Sequence, residues 1–204
     1  MKIKISPSLP LFIIVLLTSD NADRALTLIA AASIHECGHI IAAKLMKLRL
    51  KSIKLGIFGA SLEVNTLSCT YTKEIVLCAA GPAANIFSAI VIYLFTAPMT
   101  RMALYFFVTS LFLAILNLLP AKGFDGGRIA SCILTRLAGE RVAYKVIAVA
   151  SFFCFFVLWS ISVYIIIRTG AYLSLFVFSW NLFAHFFIDL RPASNQNKTE
   201  DFGE

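Results

Sequence analysis

Long apolar runs, separated by short polar stretches, set the pattern of this chain. A run of about twenty apolar residues is long enough to cross a bilayer as a helix. Such spans are expected at about Arg24–Met46, Thr72–Ala97, Arg101–Leu118, Val142–Ile167 and Ala171–Leu190. A shorter apolar segment, Leu9–Thr18, follows the basic start Lys2 and Lys4. No small-residue cleavage pattern follows it, so it is read as a short, uncleaved first span. Two stretches break the pattern. Over Leu50–Leu67, Ile53, Leu55, Ile57, Leu62 and Val64 recur with a period of two, which predicts a membrane-associated β-hairpin. Asn117 to Arg128 is rich in glycine and polar groups, and a short amphipathic helix is expected over about Arg128–Leu137. The predicted fold class is an all-α polytopic membrane protein. It has about six transmembrane helices and a small β-hairpin between spans 2 and 3. Residues 1–190 are expected to form the membrane domain, and 191–204 a short polar cytoplasmic tail.

Composition sharpens this. Of 204 residues, 59% are hydrophobic and 14% charged, against about 25% charged in soluble domains. The net charge of +7 does not point to nucleic acid, because the basic residues sit at span ends. Threaded through the expected spans, 15 of the 18 Lys and Arg fall on the side of the N-terminus. Only Arg24, Arg101 and Arg168 fall on the other. That asymmetry predicts both termini in the cytoplasm. The five cysteines are scattered without a C-x-x-C pair and read as small packing residues.

The chemistry concentrates at Ile34-His35-Glu36-Cys37-Gly38-His39. On a helix, His35 and His39 lie on one face, one turn apart. This is the H-E-x-x-H pattern, in which two imidazoles hold Zn²⁺ and the Glu serves as general base. Ionisable groups inside an apolar span are costly and mark function. A catalytic zinc takes three protein ligands and keeps one position open. Asp125 is the best third candidate, on a glycine-rich loop at the same expected side of the membrane. The competing reading is a turn Asp capping the next helix. His185 is the rival ligand, within a polar stripe of Asn181, His185 and Asp189 at helical spacing. Glu74 and Glu140 read as solvated charges at span ends. Asn85 and Asn117 are amides available to an oxyanion or to substrate positioning, with structural capping as the alternative for each. An exposed edge of the hairpin would offer pairing to an unwound substrate segment.

Three motifs together resemble one family. His35-Glu36-x-x-His39, Gly81-Pro82-x-x-Asn85 and Asn117-x-x-Pro120-x-x-x-x-Asp125-Gly126 are similar, in this order, to those of the site-2 proteases, the intramembrane zinc metalloproteases of peptidase family M50. The resemblance covers about residues 30 to 130. It implies His35, His39 and Asp125 as ligands of one zinc ion per chain, with Glu36 as catalytic base. It implies a multi-pass protein of a bacterial cytoplasmic membrane, with its active site toward the cytoplasm. The partners implied are the lipid bilayer, a membrane-tethered protein substrate and a regulatory membrane protein, with no nucleic acid. The layout without an inserted PDZ domain looks most like the branch of sporulation proteases (stage IV sporulation protein FB type) that process a pro-sigma factor. A zinc transporter, a non-catalytic scaffold and a di-iron oxidase are the competing classes. A transporter would spread its ligands across the membrane, a scaffold has no use for Glu36, and an oxidase needs more than the three histidines present.

Overall fold

The computed structural model describes residues 2–5, 22–48, 50–56, 59–64, 70–170 and 173–189. The expected first span and the polar tail lie outside these residues. The described elements are strands β1 (Lys2–Ile5), β2 (Leu50–Gly56) and β3 (Gly59–Val64). The helices are α1 (Ala22–Leu45), α2 (Tyr71–Phe95), α3 (Arg101–Asn117), α4 (Asp125–Ala138), α5 (Glu140–Thr169) and α6 (Leu173–Asp189). By internal packing the chain divides into two units, Met1–Ala150 and Ser151–Glu204.

In the first unit, α1, α2 and α3 pack against one another and α4 packs on α2. Small residues let the helices approach, as is usual where helices meet in lipid. Ala42, Ala43, Leu48 and Leu77 form a buried cluster with Met46 and Ala80 against it. Gly38 of α1 lies against the backbone of α2 so closely that a Cβ there would stand 2.5 Å from the Ala80 carbonyl oxygen. Large apolar side chains turn outward instead: Phe87, Leu94 and Phe95 of α2 and Phe112 of α3 are all exposed. Such a surface is costly in water and ordinary in hydrocarbon. Thr100 starts α3, its hydroxyl accepting from the Ala103 N–H at 3.2 Å.

In the second unit, aromatic rings join α5 to α6. Phe152 meets Phe183 and Phe186, and Trp159 stacks on Phe183. The buried Ser162 and Ser179 hydroxyls bond at 2.7 Å. Asn181 is half-buried on α6, and the side chains of His185 and Asp189 are outside the described part of the molecule.

The expected fold class is corrected. Among the described residues, three helices rather than six are long and apolar enough to cross a membrane: Asp23–Leu45, Tyr71–Phe95 and Glu140–Thr169. Helix α3 has 17 residues. At 1.5 Å per residue that is about 25 Å, short of the ~30 Å hydrocarbon core. The apolar part of α6 is shorter still, Leu175–Ala184. The lone two-stranded hairpin does not stand either. β2 pairs antiparallel with β3, and β1 pairs parallel with the opposite edge of β2, giving a three-stranded sheet in the order β1-β2-β3. The basic start of the chain, read as the head of a span, is therefore a strand, and of the two edges of the expected hairpin that of β2 is filled by β1. Two strands alone are marginal, and a third partner is the usual remedy.

Candidate metal centre

Helix α1 carries His35 and His39 with 5% exposure each, on one face as the four-residue spacing dictates. Their rings stand 4.8 Å apart between centroids and nearly perpendicular, at 83°. The third group arrives from the turn between α3 and α4. There Ala121 and Phe124 are buried, and the Phe124 N–H donates to the Ala121 carbonyl at 3.2 Å. A Cβ at Gly126 or Gly127 would overlap the carbonyls of Leu118 and Ala121. Only glycine lets the turn fold down onto the first residues of α4, and that fold carries Asp125 inward.

Asp125 Oδ2 lies 3.1 Å from His35 Nε2 and 3.2 Å from His39 Nε2, and the two Nε2 atoms are 3.1 Å apart. A tetrahedral zinc with bonds of about 2.0–2.1 Å has ligand–ligand edges of about 3.3–3.4 Å. The three atoms thus form one face of a site of the right size and donor type, two imidazoles and a carboxylate. Burial alone would push the Asp125 carboxyl up; the neighbouring His35 and His39 outweigh it and hold the carboxyl below the ordinary carboxylate range. It is an anionic donor at neutral pH.

Helix α2 forms the wall behind the imidazoles. His39 Nδ1–H donates to the Leu77 carbonyl at 2.8 Å, which leaves its Nε2 lone pair facing the centre. Gly81 sits directly against both rings. A Cβ there would stand 2.5 Å from His39 Nε2 and 2.7 Å from His35 Nε2. The absent side chain lets both rings lie against the α2 backbone. Asn85, fully buried one turn further on, has its amide 3.4 Å from His35 Nδ1.

Of the residues singled out from the sequence, the fold gathers His35, His39, Asp125 and Asn85. Glu36 follows His35 on α1, with its Oε2 shielded from solvent and its charge close enough to act on His39. Asn117 is directed elsewhere: its Nδ2 donates to the Leu113 carbonyl in its own helix at 2.9 Å. Glu74, expected to be a solvated end charge, instead accepts from Arg128 Nη2 at 3.1 Å, tying the first turn of α2 to α4 one turn past Asp125. The Leu77 carbonyl has no signature in the sequence, and Gly81, singled out there only as part of the Gly81-Pro82-x-x-Asn85 motif, is placed against the imidazoles by the helix contact alone. The Gly81-Pro82 kink was the one available hint, because a proline in a helix loosens the turn before it.

The family model described as peptidase family M50 matches residues 24–100 and 95–161. The chain belongs to peptidase family M50. Among curated proteins, it is 28% identical over 131 residues to the provisionally named zinc metalloprotease Rip3 of Mycobacterium tuberculosis, covering 60% of this chain and 33% of that one. It is 29% identical over 123 residues to the provisionally named zinc metalloprotease sll0528 of Synechocystis, covering 57% of this chain and 32% of that one. The chain thus spans about a third of the length of these relatives. The solved structure of the site-2 protease from Methanocaldococcus jannaschii superposes with a TM-score of 0.64 at 20% identity, over 93% of this chain and 91% of that one. At that identity the likeness speaks for the fold alone; the membrane character rests on the three long apolar helices of this M50 chain.

Proposed function

We propose that this M50 chain is an intramembrane zinc metalloprotease that hydrolyses peptide bonds of membrane-anchored or membrane-associated regulatory proteins. The observation that carries the reading is the triangle of His35, His39 and Asp125 with Glu36 beside it. The triangle supplies three donors, the number that a catalytic zinc site takes from the protein. His35, His39 and Asp125 would hold one zinc ion. When bound, the ion supplies a Lewis acid that activates water near neutral pH and polarises a carbonyl. Glu36 accepts the proton of the attacking water and delivers it to the leaving amine. The Leu77 carbonyl orients His39, and the turn before α4 brings Asp125 to the two imidazoles.

The basic residues support a cytoplasmic position for the site. Lys44 and Lys47 at the end of α1, Lys73 at the start of α2, and Lys122 and Arg128 around Asp125 lie toward the end that holds the site, whereas Arg24 and Arg101 start their helices at the far end. From His39 to Leu45 is about 9 Å at 1.5 Å per residue, so water has a short path. Neither curated relative is named for sporulation, and the choice of a pro-sigma factor as substrate has no support beyond the resemblance of motifs.

The test is Glu36→Gln in reconstituted membranes with a tethered candidate substrate. Zinc should stay bound at one ion per chain while cleavage stops. Cleavage at the wild-type rate by Glu36→Gln would overturn the assignment.

A further inference from the structure

The imidazole of His39 is oriented through its Nδ1 by a backbone carbonyl of α2. His35 needs the same service. Its Nε2 points at Asp125 Oδ2 and His39 Nε2, the direction of the metal. A neutral imidazole has one N–H, so a His35 that ligates through Nε2 carries its proton on Nδ1. That N–H is buried, and a buried donor without an acceptor costs about 1–3 kcal/mol. The group facing it is the Asn85 side chain, at 3.4 Å and 0% exposed.

In the geometry observed, Asn85 Nδ2 faces His35 Nδ1, while Asn85 Oδ1 is buried with no hydrogen-bond partner. Two N–H groups would then oppose each other once His35 holds a metal. Half a turn of the amide exchanges its oxygen and nitrogen with no change of shape. It turns a donor–donor contact into a hydrogen bond from Nδ1–H to Oδ1.

We propose that Asn85 is a positioning residue for the metal ligand His35, accepting the His35 Nδ1–H through Oδ1, so that α2 orients both imidazoles: His39 by the Leu77 carbonyl and His35 by the Asn85 amide. This rests on the zinc-site reading above, and differs from a role for Asn85 on an oxyanion or substrate. An acceptor behind a ligating His sets its tautomer and raises its basicity, and losing one typically weakens metal binding by about 10–100-fold.

The experiment measures zinc affinity by competition with a chromophoric chelator in the detergent-purified full chain, which requires no substrate and no turnover. Asn85→Leu, similar in size but without an acceptor, should bind zinc about 10–100-fold more weakly. Asn85→Asp, which keeps an acceptor, should retain affinity within about threefold by the same reasoning. Wild-type affinity in Asn85→Leu, even with slowed cleavage, would overturn the proposal in favour of a substrate-side role. Equal loss in both variants would overturn it in favour of packing alone. A readout free of variants is the ¹⁵N spectrum of histidine-labelled, zinc-loaded wild type, in which His35 should show a protonated Nδ1. A bare Nδ1 overturns the proposal. A wild-type chain that takes up no zinc would instead remove the protease reading, so the two failures are distinguishable.

Discussion

Replacing Gly81 with alanine sets two effects against each other. In a helix interior, alanine is favoured over glycine by about 1 kcal/mol. Against this, the new Cβ would stand 2.5 Å from His39 Nε2 and 2.6 Å from His39 Cε1, where ordinary contact begins at 3.4 Å. The ring must yield by about 0.9 Å, whereas zinc–ligand distances tolerate about 0.2 Å. Overpacking costs about 1–3 kcal/mol, so the net change in fold stability should be small, about 0–2 kcal/mol. The metal site has no such offset. Both imidazoles are touched, since His35 Nε2 would lie 2.7 Å from the same atom. Zinc affinity is expected to fall by more than about 100-fold, or about 2.7 kcal/mol, with loss of cleavage. The assay is chelator competition with thermal unfolding on the same sample. Gly38→Ala is the control. Its Cβ would crowd the Ala80 carbonyl at 2.5 Å and the Ala84 Cβ at 2.8 Å, with no imidazole among its nearest contacts. It should lower the melting temperature more than it lowers zinc affinity. A Gly81→Ala protein that holds zinc within about threefold of wild type would refute the steric reasoning, because a 0.9 Å displacement cannot leave a tetrahedral site intact.

Two further outcomes follow from the geometry. Glu74→Ala removes the partner of a half-exposed Arg128, a pair worth about 0–1 kcal/mol; stability should barely move, while chelator competition should show a few-fold weaker zinc site because the α4 start that carries Asp125 loses its tie to α2. For Ser162 and Ser179, a double-mutant cycle to alanine in detergent unfolding should give a coupling of about 0.6 kcal/mol, the usual value for a hydrogen bond between membrane helices, and a coupling near zero would mean the hydroxyls are satisfied within their own helices.

Much of the site is legible along the chain because it depends on local periodicity. His35 and His39 share a face whenever residues 35–39 are helical, and nothing distant can alter that. Asp125 is legible by elimination and motif, since acidic groups near apolar spans are few. The glycines at 126 and 127 announce a tight turn, although not that Leu118 and Ala121 are what they admit. The span count was harder. Apolar runs in the sequence do not fix where a helix ends, and α3, with 17 residues, stands at the lower limit of the lengths that span a bilayer. Glu74 looked solvated because Lys73 is its sequence neighbour, whereas its observed partner is Arg128, 54 residues away.

The sequence by itself determined the membrane class, the helical metal motif and its pair of imidazole donors, since each follows from composition or from spacing within a few residues. The tertiary structure alone decided what stands around that motif. It brought the Leu77 carbonyl, the gap at Gly81 and the Asn85 amide of α2 against the imidazoles of α1, and it added β1 to the β2 edge. Those contacts depend on which helices touch and at what height. Side-chain and backbone groups far apart in the chain become neighbours only after the small-residue faces of α1 and α2 have packed, and no periodicity within either segment encodes that register.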